Sequence, residues 1–569
     1  MFSGSPSELS RIMITLMRQA PAALRLASWL FLAAAVIPAG ASSAASAPRP
    51  NIIVIMVDDL GYSDIGPYGS EIETPHLDAL ANDGLRFSQF YTTPKCFPSR
   101  AALLTGLYPH QVGMGRNVRH LKNCTTIAEV LRDAGYHTWM VGKWHGLDRP
   151  VDRGFDRYFG LNDGAANHFN PGEQRPGESV PATDKWVRKW GIDDQLYEPY
   201  TPDDPRFYST DAFTDRALGY LDSQTDERPF FLYVALTAPH YPIQAWPEDI
   251  ARYRGKYRVG WDVIREQRFA RQRAMGLFPT DAPMAPRGNI RLASVRATGP
   301  WMPRFWDEQG NMLPWEEVPD HDVWDLKMAA YAAMIDRIDQ NIGRLLARLK
   351  ELGKAENTLI VFLSDNGASA ESHHYGTRPT DAPKTGPGPM DSFHTYDPPW
   401  ADVSNTPFYG YKNACHEGGN ASPLIVHWPR GLAGTPGSIS HDIAHIMDLA
   451  PTFYDVAGAT YPATFGGEPI PPLEGKSLLP ILRGGKREGH DTLFWEYKGD
   501  RAARRGNWKI LGLPGEPWRL FNLAADRAEQ HDLSAAHPEV FRDLVAAWDS
   551  WATRVGVGKP ADKASDRSE

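Results

Sequence analysis

Cysteine is scarce: the 569 residues hold three, Cys96, Cys124 and Cys415. An odd number cannot be fully paired, so in an exported chain one thiol stays single or is put to chemical use. Long basic runs are missing too, and with a net charge of −9 and a pI near 6.1 nothing marks a nucleic-acid footprint. A small anionic substrate would need a local positive pocket instead. The apolar stretch near the start, ASWLFLAAAVIPAG, falls short of the roughly 20 residues of a spanning helix and is interrupted by Pro38 and Gly40, so no stable membrane span is expected. There is no closely spaced His/Cys cluster, which argues against zinc, and no internal repeat. What is present is ordinary: 42% hydrophobic and 23% charged residues exclude disordered and fibrous classes and suit one large domain with a lobe, or two domains.

The apolar stretch is preceded by Arg11, Arg18 and Arg25 and followed by ASSAASA, the layout of a secretory signal. Residues 1–47 are therefore expected to be removed, with a cut near Ala44 or Ala45, and the mature protein to be exported, periplasmic or secreted. A retained anchor is the alternative, and Met13 or Met17 is an alternative start. No cysteine lies there to carry a lipid.

Five continuously hydrophobic runs predict buried strands of a parallel sheet. NIIVIMV ends in Asp58-Asp59, TLIVFLS in Asp365-Asn366, TWMVG in Lys143-Trp-His145, and FFLYVAL in a segment closing on His240. The fifth, SPLIVHW, is instead preceded by Lys412 and HEGG. Helical segments alternate with them, from Thr74, from Thr125 and from Met328. In the last, Ile335, Ile338, Ile342, Leu345 and Leu349 recur at three- and four-residue steps before Gly353. This α/β alternation places ligands at the carboxyl ends of strands. Singly, each polar ending reads equally well as a turn or a solvated residue. Together, Asp58, Asp59, Asp365 and Asn366 make an oxygen cage for Ca²⁺ or Mg²⁺.

CFPSRAALLTG begins at Cys96. Pro98 suits a first helical turn and Gly106 a stop, so Cys96 sits at a helix N-terminus with Arg100 one turn on, a place that attracts anions and favours a thiolate. A buried structural cysteine is the plainer alternative. The Cys-x-Pro-x-Arg pattern with Ala-x-Leu-Leu-Thr-Gly resembles the signature of the formylglycine-dependent (type I) sulfatases. NIIVIMVDDLGYSDIGPYG, TPHLDALANDGLRFSQFY, YHTWMVGKWH, TAPHYP, VFLSDNGA, YKNACHEGG and PLEGKSLLPIL recur in family order, and the set is most similar to bacterial arylsulfatases.

The resemblance implies an alkaline-phosphatase-like α/β fold, a mixed, mostly parallel sheet flanked by helices. It implies that a maturation enzyme oxidises Cys96 to formylglycine, and that Asp58, Asp59, Asp365, Asn366 and the modified Cys96 bind Ca²⁺, with Mg²⁺ also suited to the cage. Arg100 would orient the aldehyde hydrate, and Lys143 and His145 would contact it and the sulfate. His240 and Lys412 would lie on the leaving-group side. His145 is the candidate base for releasing sulfate and His240 the candidate proton donor. The substrate would be a small sulfate ester. Two departures stand out: GKWHGL replaces the usual Leu-Gly after the His, and the spacing from Asn366 to Lys412 is long.

Within a catalytic α/β domain over 48–485, insertions are expected at about 251–320 and 373–402. The first could wall the pocket and the second act as a lid, with His373, His374 and Tyr375 placed for substrate or simply exposed. From 486 to 556 short alternating strands and a helix predict a small antiparallel-sheet-plus-helix lobe, and 557–569 a tail. If Cys96 is the single thiol, Cys124 and Cys415 are a candidate pair. The competing readings are a phosphate or phosphonate ester hydrolase on the same core, whose nucleophile is more often Ser or Thr, and an inactive metal-stabilised binding protein.

Overall fold

The computed structural model describes residues 48–184, 188–293, 295 and 301–558. The expected export segment, with its cleavage region, and all but the first two residues of the tail lie outside the described residues. Among the described residues no helix is long and apolar enough to cross a membrane.

The apolar runs form the middle of one large sheet because their side chains are buried on both faces. β1 (Asn51–Val57), β7 (Phe230–Ala235) and β8 (Thr358–Ser364) are buried throughout except for Asn51. With β2 (Leu85–Tyr91), β3 (His137–Gly142), β4 (Arg157–Leu161), β5 (Trp190–Ile192), β6 (Gln195–Tyr197), β11 (Ala421–His427) and β12 (Ser438–Ser440), the order is β12-β2-β11-β8-β1-β7-β3-β4-β5-β6. The block β8-β1-β7-β3-β4 is parallel. Its register decides where the chemistry goes. Val57 lies opposite Ser364, Met56 opposite Ala235, and Gly142 opposite Ala235, so Asp58, Asp365 and Lys143 leave the sheet at one edge.

The fifth expected parallel strand is a correction. β11 runs antiparallel to both β8 and β2, so its beginning, not its end, reaches that edge. This is why Lys412 precedes the strand instead of following it.

The helix expected from Met328 begins at His321 and runs to Glu351, with Ile335, Ile338, Ile342, Leu345 and Leu349 all buried. Gly353, at φ 66°, ends it. In the first insertion, helix 261–274 is a brace. Its buried Arg268 donates to Asp64 Oδ1 at 2.6 Å and Glu71 Oε2 at 2.8 Å. Asp64 Oδ2 in turn accepts from Gly61 N and from Tyr331 Oη. In the second insertion β9 (His374–Tyr375) pairs with β10 (Phe393–His394). Tyr375 stacks on Phe393 with centroids 4.3 Å apart, and His374 Nε2 bonds Asp397 Oδ1 at 2.8 Å. Those two residues are thus used in packing.

At the C-terminal end the expected small sheet is present. Leu493–Tyr497, Asp500–Arg505, Trp508–Gly512 and Arg519–Asn522 pair antiparallel in sequence order, and helix Pro538–Val555 packs on it through Leu544, Trp548 and Trp551. The three cysteines are all free and buried, so the candidate Cys124–Cys415 pair is not formed. Cys124 packs with Leu107, Val112 and Met114, whereas Cys415 belongs to the main core. Burial pushes the Cys124 thiol up to about 11 and Cys415 well above its ordinary value, which makes both inert packing groups.

Candidate active site

Each strand ending contributes through local geometry. Asp59 turns the chain immediately after β1 at φ 65°, a left-handed conformation that Asp tolerates better than most residues. Asp365 and Asn366 follow β8, and Gly367 comes next because the loop carrying Lys412 passes directly over it. A Cβ at Gly367 would lie 1.7 Å from Gly418 O. The helix Cys96–Thr105 is buried along its whole length, and Gly106 closes it at φ 69°. Cys96 is its first residue and is 2% exposed.

Charges interlock at the edge. Lys143 Nζ donates to Asp58 Oδ2 at 2.6 Å, and Lys412 Nζ to Asp59 Oδ2 at 2.6 Å. Arg100 donates twice to Asp365 Oδ2, from Nε at 3.1 Å and Nη2 at 2.7 Å, and once to Lys143 O at 3.0 Å. Asn366 Nδ2 donates to Asp59 Oδ1 at 2.8 Å. Ligand atoms of Asp58, Cys96 and Asp365 all lie within 4.8 Å of one another, as do those of Asp58, Asp59 and His240. Asp58 Oδ1 and Asn366 Oδ1 are buried with no hydrogen-bond partner. Orphaned acceptors beside three carboxylates are what a hard cation would satisfy, so the residues fit a Ca²⁺ or Mg²⁺ ion.

Burial pushes Asp365 up to about 6, with the Asp58 carboxylate adding to it against Arg100 and Lys143. Asp59 goes the other way: burial opposes its charge, but Lys412 and then His240 outweigh it and hold the carboxyl below its usual value. Burial also opposes the charge on Lys412, yet Asp59 and Glu371 drive its ammonium well above the ordinary range. Both imidazoles are neutral. Burial, then Lys143 and Arg100, hold His145 well below its ordinary value, and burial with Lys412 brings His240 to about 3.

His145 adopts φ 60°, packs edge-on to Phe97 at 5.7 Å, and keeps a buried Nδ1 without a hydrogen-bond partner. His240 Nδ1 lies 2.5 Å from its neighbour's carbonyl, Tyr241 O, so Nδ1 holds the proton. Nε2 then accepts from Lys412 Nζ at 3.3 Å. His168, a lone histidine in a loop with no sequence signal, fixes His240 by bonding its carbonyl at 3.0 Å.

All ten residues singled out from sequence therefore meet at one place, including Lys412 across its long insertion. Around them lies a half-buried rim that sequence reading largely missed: Lys95, Tyr241, Glu371 and Asn413, together with the expected His373. A single acid five residues past Asn366 gave Glu371 no pattern to be noticed by.

A sheet of this order, with its ion-paired acids at the carboxyl strand ends, has the architecture of the alkaline-phosphatase-like hydrolases. Within that class the chain belongs to the sulfatase family, whose profile, described as Sulfatase, matches residues 50–459. It is 36% identical over 475 residues to an arylsulfatase of Klebsiella aerogenes, covering 79% of this chain and 95% of that protein. It is 33% identical over 557 residues to an uncharacterized sulfatase of Schizosaccharomyces pombe, covering 90% and 95%. The crystal structure of Ps i-CgsB in complex with k-i-k-neocarrahexaose superposes with a TM-score of 0.61 at 27% identity, covering 89% and 93%. The protein is a sulfatase and acts on sulfate esters.

Proposed function

We propose that the protein is an exported arylsulfatase-type enzyme that cleaves sulfate monoesters with Cys96 oxidised to formylglycine and a divalent cation, Ca²⁺ before Mg²⁺, held by Asp58, Asp59, Asp365, Asn366 and residue 96. The observation that carries this is the pair of orphaned buried acceptors, Asp58 Oδ1 and Asn366 Oδ1, in the same carboxylate cluster as Cys96. A bound cation would neutralise charge developing on the sulfate oxygens. The aldehyde hydrate would offer two hydroxyls on one carbon, one to attack sulfur and one to let sulfate go.

The chain's own groups have distinct tasks. Lys143 and Arg100, both buried and ion-paired to acids of the floor, fix the electrostatics in a water-poor pocket where each charge acts strongly. His145, neutral and with Nδ1 unpartnered, takes a proton. On the leaving-group side His240 holds no proton at Nε2, and the proton-bearing group beside it is the Lys412 ammonium, 3.3 Å away, which can donate to the leaving oxygen directly. The donor is then Lys412, with His240 as its neighbour, in place of the sequence expectation that makes His240 the candidate donor.

The test begins with mass spectrometry of the Cys96 peptide from enzyme made with its maturation enzyme, where the aldehyde form is expected; thiol alone would remove the nucleophile. Chelation should abolish aryl sulfate hydrolysis and lower the unfolding midpoint, and Ca²⁺ should restore both. On matched aryl esters kcat/KM should favour sulfate; a preference for phosphate or phosphonate would overturn the reading.

A further inference from the structure

The floor of the site and its rim differ in exposure, and the difference locates the mouth. Asp58, Asp365, Asn366 and Lys143 are fully buried, whereas Lys95, Tyr241, Glu371, His373 and Asn413 are only half-buried. Glu371 is the hub of this rim. Tyr241 Oη donates to its Oε2. Asn413 Nδ2 approaches Oε1 at 3.4 Å, Lys95 Nζ stops 3.7 Å from Oε1, and His373 Nε2 is 3.8 Å from Oε2. Beyond the tyrosine bond, these contacts are long for hydrogen bonds, so Oε1 keeps capacity for a donor from outside. The rings of Tyr241 and His373 lie 5.3 Å apart, and Tyr241 lies 4.2 Å from His240, so the carboxylate stands beside aromatic surface that adjoins the leaving-group side.

We infer that Glu371 selects the leaving group: it accepts a hydrogen bond from a hydroxylated, otherwise uncharged alcohol or phenol, and its negative charge disfavours esters that carry a second anionic group. The substrate class named is thus the monosulfated ester of a neutral, hydroxyl-bearing leaving group, such as an uncharged saccharide or polyphenol. Lys95, 3.7 Å from the same Oε1, and Lys412, whose charge Glu371 helps to hold, are the counterweights. This rests on the sulfate-ester reading above, since Glu371 sorts leaving groups and does not touch sulfur.

The experiment uses enzyme whose Cys96 peptide has been checked by mass and compares kcat/KM for 4-nitrophenyl sulfate with that for 4-carboxyphenyl sulfate. The ratio within one preparation cancels any loss of folded protein. A like charge about 12 Å away in a medium of effective dielectric near 20 is worth an order of magnitude in rate, so Glu371→Gln should shift the ratio roughly tenfold toward the carboxylated ester. Lys95→Met should shift it the other way, and added salt should shrink both shifts. An unchanged ratio in Glu371→Gln, with the wild type active on both esters, overturns this assignment alone. A wild type inactive on both overturns the arylsulfatase-type reading with it.

Discussion

His145 is one residue whose backbone and side chain point the same way. It occupies a left-handed conformation, keeps a buried nitrogen without a hydrogen-bond partner, and is held neutral by burial and the nearby cations. A neutral imidazole is the form that can accept a proton. His145→Ala should lower kcat for aryl sulfate by about 100-fold or more, the scale of a lost general base, with the unfolding midpoint little changed. Stopped-flow kinetics should show a first turnover followed by a stall, and wild-type turnover would disprove the role. The identities at this scale were legible because chemistry sits where apolar runs stop: Asp58, Asp365 and Lys143 each close a strand. Glu371 and His168 were not, since each is a single polar residue in a loop and acquires meaning only from what folds against it.

Elements were read well where periodicity is strong and less well where direction matters. The buried runs gave the strands of the sheet, yet nothing in SPLIVHW distinguishes an antiparallel from a parallel strand. Only pairing with β2 and β8 settles it. The brace and the His374 cluster were illegible for a similar reason: insertions carry no period, and their contacts are long-range. At this scale Asp448 gathers the segment from Lys476 to His490. It accepts from Lys476 N at 2.8 Å, His490 Nε2 at 2.6 Å and Arg487 Nη2 at 2.9 Å. Burial opposes its charge, but His490 and Arg487 bring it from 3.8 to about 2. A depressed carboxyl stabilises the fold fully above its ordinary value and loses that contribution as pH falls toward the lowered one. Asp448→Asn should therefore cost about 2 kcal/mol near neutrality, and the gap to wild type should close between about pH 4 and pH 2. Urea midpoints across that range measure it.

For the molecule as a whole, the small C-terminal sheet is tied to the segment just past Lys412. Lys509 Nζ bonds Glu417 Oε1 at 3.0 Å and pairs with Glu529 Oε1 at 2.8 Å, while Arg527 Nη2 meets Glu417 Oε2 at 3.0 Å. Lys509→Met would take the shared cation from two buried carboxylates, leaving Glu417 to Arg527 and Glu529 to His416, at a cost of about 3 kcal/mol. Denaturation should show that loss, and kcat should fall because Glu417 lies five residues after Lys412. Adding Glu529→Gln should recover part of both. The burial of Cys96 has a further consequence, and it concerns time. The thiol, 2% exposed, lies closed in beneath parts of the chain that complete the site, residues 365–366 and 412 among them, and those are made well after residue 96. Any enzyme that modifies it must reach it while the chain is still open, so chemistry at residue 96 has a deadline set by folding. Protein that folds first keeps its thiol out of that enzyme's reach.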